Sequence, residues 1–197
     1  STLTPQQKVQ KFLDALQGSY GLLSLLTKVE VNHTSVTVHS AYPNALIEVT
    51  LEVCVRDAEA RSGEEALTRL LVVGMGRLGG REQGYGSDAD VMFVHDPVDG
   101  ADESAAQAQA LDVVKELIRL LGLRGPDPNL EIDSALRPEG KSGPLVRSLE
   151  SYRTYYARWS LVWEAQALLR ARPVAGDAGL AERFLSLIAP IRWPEGG

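Results

Sequence analysis

The residues best suited to chemistry form one short pattern: Gly76, eleven further residues, then Asp88-Ala89-Asp90. In an extended chain, side chains two apart leave on the same side, so Asp88 and Asp90 present their carboxylates together. Two adjacent anions repel unless a cation joins them. Hard oxygen ligands without thiol or imidazole nearby suit Mg²⁺ or Mn²⁺, and magnesium commonly takes one or two carboxylates plus phosphate oxygens of its substrate. The stretch leading to the acids carries six glycines between Gly74 and Gly86. Without Cβ atoms such a backbone can approach phosphates closely and offer them N–H groups, which makes Gly79, Gly80 and Ser87 candidates to hold a triphosphate. Loop and acids together imply a nucleoside triphosphate, bound with metal.

Two plainer accounts compete. Asp88 and Asp90 could be ordinary turn and strand-edge acids, with Ser87 closing the turn. The apolar run Val91-Met-Phe-Val94 weighs against this, because an unpaired carboxylate entering a core strand is costly. Gly74-Met-Gly76-Arg-Leu-Gly79 also fits the G-x-G-x-x-G dinucleotide fingerprint. That fingerprint must open a helix and meet an acid about twenty positions on. Here the next strand begins near Asp88, leaving no room for a crossover helix, so the pattern reads as strand, glycine turn, antiparallel strand.

Transfer of a phosphoryl or nucleotidyl group by metal ions commonly uses a third carboxylate to bind metal or accept a proton. Asp133, in the strand-like run Leu130-Glu-Ile-Asp-Ser-Ala-Leu136, is the candidate, with Glu131 on the same face by alternation as the fallback. Asp88, Asp90 and Asp133 are thus the candidate catalytic acids and metal ligands. Downstream, Arg137 and Lys141 lie in a Gly- and Pro-broken loop and could meet the triphosphate or leaving pyrophosphate; solvated loop charges are the plainer alternative.

The elements that must position these groups read as follows. Residues 5–26 show helical spacing, and residues 29–39 alternate around a polar centre like a small hairpin. From 45 to 61 strand-like alternation competes with a helix-like charged tail and a Gly63 suited to a helix C′ position. Leu70–Val73 and Asp88–Val94 read as buried strands, followed by a helix of about twenty residues bearing Leu111, Val114, Leu117, Ile118 and Leu121. A final long helix is expected from an N-cap at Ser148 to just before Pro173, with Tyr152, Tyr155, Tyr156, Trp159 and Trp163 in the core, and Asp177 capping a further short helix. Glu164 and Arg170 or Arg172 are expected as ion pairs or helix-end charges, and His95 as a surface residue at a strand end. His33 and His39 have no metal-ligand spacing. The expected division is an N-terminal segment, 1–62, and a catalytic core, 63–197. The expected fold is α/β (α+β), a small mixed sheet with helices mainly on one side.

With 44% hydrophobic and 23% charged residues, the 197-residue chain can bury a sizeable core, so disorder throughout is excluded. Lys+Arg 20 against Asp+Glu 26 leaves a net charge of −6, which disfavours broad binding to nucleic acid. No apolar run spans a bilayer and no signal-peptide layout opens the chain, so no membrane partner and a cytoplasmic location are expected; the single Cys54 excludes an internal disulfide.

Three ordered blocks carry a resemblance: residues 74–94 with the glycine turn and the two acids, residues 131–146 around Asp133, and residues 163–177, opening Trp163-Glu-Ala-Gln-Ala-Leu-Leu. They resemble glutamine synthetase adenylyltransferase, a nucleotidyltransferase family of the DNA polymerase β superfamily, over roughly residues 68–194. The resemblance implies a polymerase β-like core that moves AMP from ATP to a tyrosine hydroxyl of glutamine synthetase with Mg²⁺ or Mn²⁺, releasing pyrophosphate. Asp88 and Asp90 correspond to the family's metal-binding acids and Asp133 to its third acid. Such proteins carry two of these domains, an N-terminal one that removes AMP by phosphorolysis and a C-terminal one that attaches it. The wording of 84–90 and 159–169 looks more like the attaching half of actinobacterial members. The removing half and a non-catalytic nucleotide-binding module stay open, and PII signalling protein is a partner implied only for a full-length protein. Two features depart from the family: Ser134-Ala135 stand where an arginine is often found, and the first 60 residues do not match.

Overall fold

A computed structural model describes residues 27–31, 36–40, 42–83, 87–123, 130–158 and 162–193. The predicted helix over 5–26 and Trp159 lie outside these residues. Strands β1 (Thr27–Val31) and β2 (Val36–Ser40) pair antiparallel, with Val29 opposite Val38, as the alternation over 29–39 predicts.

The competing patterns of 45–61 resolve as a helix, α1 (Tyr42–Ser62). Ile47, Leu51 and Cys54 are buried at spacings of four and three, so the helical stripe overrides the β-branched alternation once tertiary burial is available. Pro43 falls in the first turn, where its missing N–H costs nothing. Gly63, with φ of +74°, donates its N–H to the Glu59 carbonyl and stops the helix.

The main sheet contains β3 (Thr68–Gly74), β4 (Ala89–Pro97), β5 (Ile132–Asp133), β6 (Val146–Ser148) and β7 (Arg172–Gly176). β3 lies between β4 and β7, antiparallel to both. Along the other edge of β4 run β5 at its beginning and β6 further on, both parallel to it. The sheet is therefore mixed, as the sequence implied. β3 and β4 are apolar on both sides. Leu70, Val72, Val91 and Phe93 pack against α1 and α3 (Glu103–Leu121). Leu71, Val73, Met92 and Val94 meet α4 (Leu149–Arg158), α5 (Val162–Leu168) and α6 (Ala178–Arg192). Helices thus cover both faces, correcting the expectation of a one-sided arrangement. The continuous apolar runs already carried that signal, since a strand buried on one side only alternates.

Three helix starts follow from their caps. Asp102 accepts from the Ala105 N–H (2.8 Å), Ser148 from Ser151 (3.1 Å) and Asp177 from Leu180 (2.6 Å). Two described helical stretches, α4 and α5, fall within the long helix predicted after Ser148, and residues 159–161 between them lie outside the described residues. Tyr152 and Tyr156 are buried as expected, but Trp163 is 41% exposed. Among the described residues no helix is long and apolar enough to cross a membrane.

His95 also departs from expectation, because it is 1% exposed rather than on the surface. Its Nε2 meets Gln107 Oε1 at 2.8 Å, an atom that can only accept, so Nε2 carries the hydrogen and Nδ1 accepts from the Thr68 hydroxyl at 3.0 Å. Burial holds the imidazole below its ordinary pKa. The unfolded chain therefore takes up a proton below about pH 6.5 that the folded imidazole resists, so this contribution to stability is full above that pH and lost below it. Urea midpoints measured between pH 7.5 and 5 should fall on acidification, and the fall should flatten in His95→Gln.

Candidate active site

The turn after β3 is built around one glycine. Met75 keeps the sheet register by donating its N–H to the Asp90 carbonyl (2.8 Å). Gly76 then takes φ of +46°, and a single helical turn, α2 (Gly76–Gly79), follows. A Cβ on Gly76 would stand 2.4 Å from Asp90 Oδ2, so the Asp90 carboxylate lies directly against this Cα. The Gly76-x11-Asp88-x-Asp90 spacing thus has a physical basis: only glycine fits both the backbone angle and the neighbouring oxygen.

Asp133 reaches the same place by sheet register. In the parallel pairing of β4 with β5, Asp90 stands opposite Asp133, and Ala89 donates its N–H to the Glu131 carbonyl (2.7 Å). Asp133 Oδ1 accepts from the Ala135 N–H at 2.7 Å, a turn that orients its carboxylate. Asp88, Glu131, Asp133, Ser134, Arg137 and Lys141 line a pocket of about 390 Å³. Burial raises the pKa of Asp90, and the nearby charges of Asp133 and Asp88 add to the rise while Arg77 opposes it. A larger cleft of about 1370 Å³ lies at the far end of β4, beside His95, Arg147 and Tyr155, but it contains none of the three acids. Chemistry rather than size therefore identifies the smaller pocket as the candidate site.

The acids form a cluster of like charge with oxygen donors alone, a set that fits a hard divalent cation. Among the described residues no three such side chains converge into a ready-made metal cage, so substrate oxygens would have to complete the coordination of an ion held by Asp88 and Asp90.

Several predicted nucleotide contacts take other roles. The N–H groups of Gly79 and Gly80 already bond to the Met75 and Gly76 carbonyls (2.7 and 3.1 Å), so neither can donate to phosphate as expected. Gly79 is glycine because a Cβ there would come within 2.0 Å of the Arg170 carbonyl oxygen. Ser87 sits beside the acids, its carbonyl accepting from Gln83 Nε2 (2.9 Å). Arg137 is buried, and its guanidinium donates to the carbonyls of Ser134, Lys141, Gly143 and Pro144. It braces the loop and is not available to a phosphate. Lys141 is exposed and lines the pocket. The sequence reasoning missed Arg77, exposed one residue beyond Gly76 and close enough to act on Asp90; its only signal was adjacency to that glycine. Arg170 pairs with Glu82 (2.6 Å), and Arg172 donates to the Leu78 and Gly79 carbonyls (3.0 and 3.1 Å), tying α2 to β7.

Gly76 and Gly63 both have positive φ, but a Cβ on Gly63 meets nothing within 4 Å. Gly63→Ala should carry only the left-handed backbone cost, about 1–2 kcal/mol, and lower the melting temperature by about 2–8 °C. Gly76→Ala adds the clash with Asp90, and overpacking of this kind costs about 1–3 kcal/mol more. Equal melting temperatures for the two variants would show that Asp90 does not rest against Gly76.

The profile of the glutamate-ammonia ligase adenylyltransferase family matches residues 10–187. Relatives named bifunctional glutamine synthetase adenylyltransferase/adenylyl-removing enzyme include one from Streptomyces coelicolor, 55% identical over 154 residues, which are 78% of this chain and 15% of the relative. The Corynebacterium efficiens protein is 49% identical over 179 residues, 91% of this chain and 17% of the relative. The Mycobacterium tuberculosis protein is 47% identical over 182 residues, 91% and 18%. The chain thus spans less than a fifth of the length of these relatives. With the glycine turn, the paired acids and a family match over most of its length, the chain belongs to the glutamate-ammonia ligase adenylyltransferase family.

Proposed function

We propose that residues 63–197 hold the catalytic centre of a nucleotidyltransferase that moves AMP from ATP to a tyrosine hydroxyl of glutamine synthetase. The observation that supports it most is the register pairing of Asp90 with Asp133, with Asp88 alongside. A divalent cation held by Asp88 and Asp90 would neutralise charge on the phosphates. Asp133 Oδ1 is occupied by the Ala135 N–H, which leaves Oδ2 to accept the tyrosine proton. The tyrosine oxygen then forms a bond to the α-phosphorus, the bond from that phosphorus to the β-bridging oxygen breaks, and pyrophosphate leaves with the electron pair. Lys141, which lines the same pocket as Asp88 and Asp133, meets the negative charge of the polyphosphate.

The names of the relatives cover both attachment and removal of the adenylyl group, and the same acids would serve phosphorolysis with phosphate as the nucleophile. We assign the attaching reaction to this chain because its 84–90 and 159–169 wording resembles the attaching half. Labelled AMP should pass from ATP to unmodified glutamine synthetase in the presence of Mg²⁺. Asp88→Asn, Asp90→Asn and Asp133→Asn should each slow this by about a hundredfold or more, the loss of roughly 3 kcal/mol of transition-state stabilisation. Unchanged turnover in these variants would sink the mechanism. Activity only with phosphate and adenylylated synthetase would reassign the chain to removal.

A further inference from the structure

Glu164 is 1% exposed, and no step of the proposed chemistry uses it. Its Oε1 accepts hydrogen bonds from the Tyr155 hydroxyl (2.6 Å) and from the backbone N–H of Glu139 (3.4 Å). The Glu139 carboxylate in turn accepts from Arg147 Nη2, and the Arg147 guanidinium lies 5.2 Å from the centre of the Tyr155 ring. Four residues from the 134–145 loop, β6, α4 and α5, one of them through its backbone N–H, therefore close a ring.

The ring holds an unusual backbone. Glu139 has φ of +64°, a left-handed conformation that a non-glycine residue keeps only where its surroundings enforce it. The next residues, Gly140–Ser142, form the 3-10 turn that carries Lys141 to the pocket with Asp88 and Asp133. Arg137 ties the two legs of this loop from inside, and the ring holds its crest from outside.

We propose that Glu164 is a positioning residue for the phosphate side of the site: through Glu139 it fixes the turn that presents Lys141 to the polyphosphate. This inference rests on the acid pocket being the nucleotide site. Glu164 touches no reacting atom and acts only through the loop.

The test compares wild type, Glu164→Ala, Glu164→Gln and Tyr155→Phe by hydrogen exchange and by the binding of ATP and AMP with Mg²⁺. In Glu164→Ala the N–H groups of Gly140 and Gly143, bonded to the Arg137 and Gly140 carbonyls (2.8 and 3.2 Å), should exchange about tenfold faster. The Kd for ATP should rise about five- to tenfold, and the Kd for AMP should stay unchanged because it lacks the phosphates that Lys141 meets. Glu164→Gln keeps an acceptor oxygen for both donors and should restore both values to within about twofold. Tyr155→Phe, which removes one bond and little volume, should fall between, and it carries the test if the alanine variant does not fold. Unfolding midpoints are read alongside. A lowered midpoint with wild-type loop exchange and wild-type ATP affinity would mark Glu164 as merely structural and overturn the proposal. Wild-type protein that binds no ATP would overturn the reading of the pocket, and the phosphate role of Glu164 with it.

Discussion

Two carboxylates held face to face set the problem that the rest of the molecule solves. Asp90 and Asp133 are register partners on neighbouring strands, and like charges directly opposite in a sheet repel. Nothing local favours that pairing. The β5 strand is only two residues long and has little ladder of its own, so it lies where it does because the neighbouring chain holds it there. Its anchors are the Ala89 N–H on the Glu131 carbonyl and the loop that begins with Asp133 itself. That loop is kept rigid from inside by a buried arginine, and its far leg re-enters the same edge of β4 as β6.

The strength to impose this arrangement comes from the centre of the sheet. β3 and β4 form the longest ladder among the described residues, from Thr68 opposite Pro97 to Gly74 opposite Val91, and both faces are covered by helices. Burying such strands on two sides supplies hydrophobic stabilisation in proportion to the apolar area removed from water. Two of the polar groups taken inside with them find partners. The Tyr152 hydroxyl donates to the Phe93 carbonyl at 3.2 Å, and His95 sits between a hydroxyl and an amide. The apolar ladder can therefore carry repelling charges at one end, where Asp88 is exposed to solvent.

What the sequence revealed, and what it hid, follows from range. Gly76 and the two acids are legible because one short stretch of chain sets their spacing. Asp133 is legible from strand-like alternation, even though only Ile132 and Asp133 pair as a strand. The caps at Ser148 and Asp177 are likewise local signals. Arg137 was misread because a guanidinium next to an acid site looks like an anion contact, and only the folded loop reveals carbonyls that take up its donors. Gly79 was misread for the same reason, since its close neighbour, the Arg170 carbonyl, is remote in sequence. The helix over 42–62 depends on partners that no local window contains.

The contact between Gly79 and residue 170 has a consequence for how the molecule comes into being. β3 needs β7 on its free side, and Arg172 clasps the carbonyls of Leu78 and Gly79 from nearly a hundred residues away. A chain emerging from the ribosome amino end first can form the hairpin of β3 and β4 early, but the flank of its glycine turn stays open until residue 176 is free to pair. All three acids are present long before then, without the wall behind the turn. Assembly of the centre is thus tied to one of the last closures of the core, so a partly made chain holds the charged groups but not the cradle that gives them their geometry.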